Sequence, residues 1–141
     1  MLLILSIFLS VSLHAGCVTK DEVPLKGRLG KNAPVSWKVR KYTPLKKLGQ
    51  PYNGWVHVKD MDGDKHWIRQ KFFTEKYHCL MVKNDRTPIR IAPSLNSSEK
   101  FKEPAEKYET FKFLRAKKGW IEIMDVHGDV GWIKASDVWT D

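Results

Sequence analysis

Cysteine is scarce in this 141-residue chain: there are two, Cys17 and Cys79. Two thiols leave room for one bridge or for two unrelated groups. After residue 13 no apolar run is long enough to cross a bilayer. Helical periodicity is missing from the most regular segments, whose apolar residues alternate instead. Metal-ligand spacing is lacking too. Asp60, Asp62 and Asp64 surround Gly63, but the glycine precedes the third acid and Lys71 stands near the place of a closing Glu. The segment is therefore expected to be a solvated hairpin tip rather than a calcium loop. His57 and His66 have no third ligand at useful spacing. A cysteine nucleophile needs a base that can reach it, and His78, adjacent to Cys79, would point to the opposite face of a strand. The expectation is a protein that is not an enzyme, with no catalytic residue, no metal and no cofactor.

What is present is a near-duplication. Gly54-Trp55-Val56-His57-Val58, a turn at Asp62-Gly63 and Trp67-Ile68 return as Gly119-Trp120-Ile121-Glu122-Ile123, a turn at His127-Gly128 and Trp132-Ile133. Upstream, Lys41-Tyr42 with Leu45 and Leu48 corresponds to Lys107-Tyr108 with Phe111 and Leu114, Pro24-Leu25-Lys26 to Pro88-Ile89-Arg90, and Cys17 to Cys79. Such self-similarity predicts two copies of one small unit, 16–76 and 77–141. Units this small bury little core alone and gain by packing together. The spacer 73–77 is short, which predicts a rigid pair. Duplication also weighs against catalysis, because active sites seldom repeat their residues at matching positions.

Leu2 to Leu13 is uncharged, with serine as almost its only polar side chain, and leads into His14-Ala15-Gly16. This reads as a secretory signal over 1–15, with an n-region that lacks Lys and Arg. Cleavage after Ala15 gives a soluble periplasmic or secreted chain. Ala15-Gly16-Cys17 also resembles the end of a lipobox, with His14 where an aliphatic residue is expected; Cys17 would then be acylated and the protein anchored to a membrane. In an oxidising compartment Cys17 and Cys79, which open their units at equivalent places, are expected to pair as a disulfide. Two unrelated thiols are the alternative.

In the duplicated core Val56 and Val58 face one way and Trp55, His57 and Lys59 the other, and Ile121 and Ile123 repeat this against Trp120, Glu122 and Met124. Short β-strands joined by Gly-containing turns follow, arranged as small barrels or sandwiches. Single helical turns are expected only at Gln70 to Thr74 and Ser136 to Val138. Ser94 to Ser98, which contains the sequon Asn96-Ser97-Ser98, reads as an exposed loop. Lys100 to Lys107 reads as a second loop that could lie across the groove of its unit.

Charge is distributed unevenly. The whole chain carries a net +9. Residues 16–76 hold fourteen Lys and Arg against six Asp and Glu, a net +8, and residues 77–141 eleven against ten, a net +1. Lys26, Arg28 and Lys31, then Lys38, Arg40, Lys41, Lys46 and Lys47, form a dense basic stretch. Its field attracts anionic partners, and solubility alone is the competing explanation. Parity places Trp55, His57 and Trp67 outward, with Trp120 and Trp132 at equivalent positions, so these indoles either stack on a ligand or are covered by the other unit. Trp37 has no aromatic counterpart and lies in the basic stretch. The candidate ligand-binding set is therefore Trp37, Lys38, Arg40, Lys41, Tyr42, Trp55, His57 and Trp67.

Ile89-Arg90-Ile91-Ala92-Pro93, Trp120-Ile121-Glu122-Ile123 and Gly131-Trp132-Ile133 resemble, in order, the early strand, middle strand and closing Gly-Trp motif of bacterial SH3-like (SH3b) domains. The first copy has Leu25-Lys26-Gly27 and His66-Trp67-Ile68 in those places and departs more. The resemblance implies an all-β protein of two tandem SH3-like small barrels packed as a pseudosymmetric pair. It also implies a non-catalytic, extracytoplasmic module of the kind that targets cell-wall hydrolases or binds peptidoglycan peptides. The expected function is a binding or scaffold protein of the cell envelope contacting peptidoglycan or another anionic envelope component. The alternative is a periplasmic adaptor that recognises an acidic or extended peptide of a partner protein. Nucleic acid is not an expected partner, and a membrane is one only if Cys17 is lipidated.

Overall fold

The computed structural model describes residues 15–140, so the expected signal segment falls almost wholly outside the described residues. The chain is built from short strands, as the alternation predicts. The first seven are β1 (Ala15–Val18), β2 (Val23–Lys26), β3 (Val35–Val39), β4 (Pro44–Lys47), β5 (Trp55–Lys59), β6 (Lys65–Arg69) and β7 (Phe73–Thr74); the next five are β8 (Cys79–Val82), β9 (Thr110–Lys117), β10 (Trp120–Met124), β11 (Val130–Lys134) and β12 (Val138–Trp139). They form two sheets, ordered β3-β2-β6-β5-β4-β1-β7 and β11-β10-β9-β8-β12. The protein is thus all-β, with two SH3-like β units. Among the described residues no ladder joins the end strands of either sheet.

Each sheet has its own core. Val18, Val23, Leu25, Val39, Leu45, Val56, Val58 and Ile68 fill the first, and Leu80, Val82, Ile89, Phe111, Ile121, Ile123, Ile133 and Val138 are among those that fill the second. Strand β1 lies one place in from the edge of its sheet, pairing with both β4 and the edge strand β7. A Cβ on Gly16 would run into the Phe73 ring, so glycine is what lets that ring lie against the strand.

The same backbone devices occur in both units. The hairpin turns have Gly63 and Gly128 at φ of 90° and 89°, and single 3-10 turns sit at Gln70–Phe72 and Ala135–Asp137. Tyr42 and Tyr108 both adopt the left-handed region, at φ 68° and 76°, unusual for a bulky residue. Each donates its backbone N–H at 2.9 Å, to the carbonyls of Val18 and Val82 respectively.

The units differ around the second strand. Residues 19–43, between β1 and β4, give the two strands β2 and β3, whereas residues 83–109, between β8 and β9, form only isolated bridges, Thr87 with Ala105 and Arg90 with both Glu99 and Trp132. A disulfide joins Cys17 to Cys79 with Cα atoms 6.0 Å apart, buried with Tyr42 and flanked by Tyr77. Closing a loop of 62 residues' separation is worth about 4 kcal/mol on the chain-entropy model. The bond also bears on the lipobox alternative, because acylation would use the same sulfur. Such a bond fits an oxidising compartment.

Candidate functional site

The predicted ligand-binding residues do not form one site. Tyr42 is 6% exposed and belongs to the small core at the disulfide, where its ring meets Tyr77 edge-on at 6.0 Å. It has no surface to offer a ligand. Burial, followed by the neighbouring Tyr42, raises the Tyr77 hydroxyl above its usual range. Trp37 is half-buried on the inner side of β3, 6.2 Å from His66 and 6.3 Å from Tyr108 of the second unit. It therefore packs between the units. Tyr108 also donates its hydroxyl to Asp62 at 3.0 Å, and Thr110 donates to the Lys41 carbonyl at 2.7 Å. These contacts and the Cys17–Cys79 disulfide, rather than the outward tryptophans, join the units.

Lys38 and Arg40 lie instead in a cleft between the units, of about 730 Å³. The first unit contributes these two cations with Asp21 and Glu22; the second contributes Glu103, Glu109 and Asp125 over Ile89, Phe101 and Phe111. The segment expected to lie across a groove, Lys100 to Lys107, provides part of this wall.

Trp55, His57 and Trp67 do come together, on the outer face of β5 and β6. Pairing sets Trp55 opposite Arg69, His57 opposite Trp67 and Lys59 opposite Lys65. His57 stacks on Trp67 with centroids 4.3 Å apart and planes 12° from parallel. The Arg69 guanidinium lies 4.8 Å from the Trp55 ring centre, close enough for a cation–π contact. Desolvation, and then the charge of Lys65, push His57 below its ordinary value, which favours the neutral ring in the stack. Lys26 of β2 is paired with Trp67, and Lys46 of β4 with Lys59, extending the face on both sides.

A second cavity, of about 630 Å³, opens beside this face and is lined by Lys26, Arg28, Lys31, Tyr52, Trp55, Arg69 and Phe72 among others, with no Asp or Glu. Its aromatic wall depends on a two-residue turn. Asn53 and Gly54 have φ of 47° and 78°, the doubly positive signature of the tight hairpin turn that Asn-Gly favours. Tyr52 and Trp55 flank it and exchange backbone hydrogen bonds of 2.8 and 2.9 Å. Tyr52, 61% exposed, was not among the residues singled out from sequence, although Asn53-Gly54 before Trp55 is the signal that pairs the two rings.

On the inner face, His66 Nε2 meets Asp60 Oδ2 at 2.7 Å and its Nδ1 meets Ser36 Oγ at 2.8 Å. The order resembles a hydrolytic triad, but neither cavity is lined by Ser36. His66 and Asp60 are only 6% and 3% exposed and brace the hairpin against β3. His57 and His66 lie on opposite faces, and no group of three metal-ligating side chains occurs among the described residues.

Residues 19–72, the first unit without its opening strand, match the family model described as the bacterial SH3 domain. The first unit is a bacterial SH3 domain. The match falls on the copy whose early motifs depart more from the SH3 pattern. Among solved structures, the chain is similar to NlpC2 and NlpC1 from Trichomonas vaginalis. The identities are 17% and 19%, the TM-score is 0.40 for each, and the alignments cover 92% and 98% of this chain against 49% and 51% of those. The chain thus spans about half the length of either NlpC structure. It is also similar to the endolysin LysPBC5 CBD, at 18% identity and TM-score 0.35, covering 91% of this chain and 93% of that one. No curated protein matches the chain.

Proposed function

We propose that the protein is a non-catalytic binding module of the cell envelope that contacts wall material, peptidoglycan first, through the outer face of its first sheet. One observation carries the reading: cross-strand pairing puts five cations, Lys26, Lys46, Lys59, Lys65 and Arg69, on that face, no Asp or Glu lies in the strands of the sheet, and the His57–Trp67 stack sits near the middle of the exposed side. Cations draw an anionic wall, and flat rings supply sequence-tolerant contacts to sugars and peptides. The bacterial SH3 match and the disulfide support a place outside the cytoplasm. The cleft between the units favours a second reading, a partner protein's extended peptide bound over the apolar floor with its charges met by Lys38, Arg40, Glu103 and Asp125.

Co-sedimentation of the oxidised chain with purified sacculi tests the first reading. Pelleting that persists at about 0.15 M salt, beyond the reach of exposed long-range attraction, and falls in Trp67→Ala with Lys59→Gln and Lys65→Gln supports it. Pelleting that disappears with salt, or ignores these substitutions, overturns it and leaves the peptide-binding reading.

A further inference from the structure

The acid-free cavity beside Trp55 has a composition that selects a ligand. Gly30 sits at φ 135°, and a Cβ there would lie 3.1 Å from the Arg28 guanidinium; glycine thus leaves room for Arg28 to fold against its own loop. Lys26 Nζ donates to the Ala33 carbonyl at 2.9 Å and the Ala33 N–H to the Gly30 carbonyl at 3.2 Å, so the loop is tied down rather than splayed. Arg28 and Lys31, both exposed, are left to meet a ligand, and Arg69, exposed and lying 4.8 Å from the Trp55 ring centre, presents its charge together with that ring. Tyr52 and Trp55 supply adjacent ring surfaces.

We propose that this cavity binds the phosphodiester backbone of a sugar- or polyol-phosphate polymer, with the guanidinium groups of Arg28 and Arg69 on phosphate oxygens and the rings of Tyr52 and Trp55 against the polyol. Planar guanidinium forks match phosphate oxygens two at a time. A zwitterionic peptide is disfavoured, because its ammonium group would meet four cations and no acid. A bilayer is disfavoured because the rings line a concavity instead of projecting as an apolar edge. Nucleic acid offers the same charge, but the disulfide fits a compartment where it is seldom met. The proposal rests on the envelope-binding reading and narrows it to one ligand class.

The test is calorimetric titration of the oxidised full chain with a poly(glycerol phosphate) oligomer. Saturable binding is expected, weakened at least tenfold in Arg28→Gln with Arg69→Gln, with a salt slope reduced by about one to two. Tyr52→Ala is expected to weaken binding several-fold without changing that slope. If Arg69→Gln disturbs the fold, Arg28→Gln with Lys31→Gln, both in an exposed loop, carries the same expectation. Three results overturn the proposal: no saturation, equal affinity in the charge variants, or equal affinity for a thymidine oligonucleotide of matched charge. Binding to phosphatidylglycerol vesicles but not to the oligomer also overturns it. Sacculi stripped of phosphodiester polymers separate this proposal from the wider one. If wild type and charge variants pellet equally with stripped and intact sacculi, wall binding stands and the phosphodiester pocket fails. If neither preparation pellets the protein, wall binding fails, and the titration alone decides the pocket.

Discussion

The β5–β6 and β10–β11 hairpins place tryptophans at matching positions, yet treat them differently. Trp55 and Trp67 stay half-exposed, topped by Arg69 and stacked with His57. Trp120 and Trp132 are 9% and 5% exposed. Outward parity leaves an indole either open to a ligand or covered, and the first hairpin shows the open case and the second the covered one; the reason lies in the neighbours. Strand β9 runs for eight residues against four in β4. It pairs along the whole of β10 and lays the Arg115 guanidinium 5.0 Å from the Trp132 ring centre, where Arg115 also holds Glu122 at 3.0 Å. Strand β4 meets β5 at only two registered positions, which leaves the first hairpin open. A position's side chain settles what it can do, and the length of the adjoining strand settles whether it is covered.

Three experiments sharpen the contrast. Trp132→Ala should cost about 3 to 5 kcal/mol, as for a large buried aromatic, whereas Trp67→Ala should cost about 1 kcal/mol, the scale of a stacked half-exposed pair; urea denaturation of both variants measures the difference, and equal costs would erase the contrast. The hairpin tips offer a smaller version. Asp60→Ala leaves the buried His66 Nε2 without its partner and should cost about 2 to 3 kcal/mol. The corresponding Asp125→Ala removes turn hydrogen bonds from the His127 and Asp129 N–H groups, both 2.9 Å, in a wetter place and should cost about 1 kcal/mol. Smallest is the effect of His57. Its folded value lies below that of the unfolded chain, so at mildly acid pH the unfolded state binds more protons and stability falls as pH drops below about 6.5. In His57→Gln the loss between roughly pH 7 and 5 should be shallower than in wild type, read as the pH dependence of the denaturation midpoint; an unchanged profile would place the ring in water.

Much of the fold was readable in the residues. Val56 and Val58 against Trp55 and His57 fixed both the strand and its inner face, Gly63 and Gly128 marked the turns, and the two cysteines announced their bridge. The order of the strands in each sheet was not readable, because it depends on long-range pairing, which is not written in local alternation. The site was legible in part. Trp55, His57 and Trp67 share a face because parity is local. Trp37 and Tyr42 were drawn toward a ligand by their basic neighbours, yet their rings are taken up at the contact with the second unit, and a contact between residues 37 and 108 leaves no trace in a window of ten. Tyr52 and Arg28 entered the cavity through a tight turn and a glycine, signals about backbone rather than about binding.

Glu75 answers Lys47 at 3.0 Å, but the five cations on the outer face of the first sheet, Lys26, Lys46, Lys59, Lys65 and Arg69, have no carboxylate within its strands to neutralise them. Small ions from the surrounding fluid must therefore gather over that face whenever no partner is bound. A polyanion settling on the face would release them, so much of the driving force would come from the entropy of those ions. The grip of such a surface would be set by the salinity of the fluid around it, a quantity the protein samples and does not control.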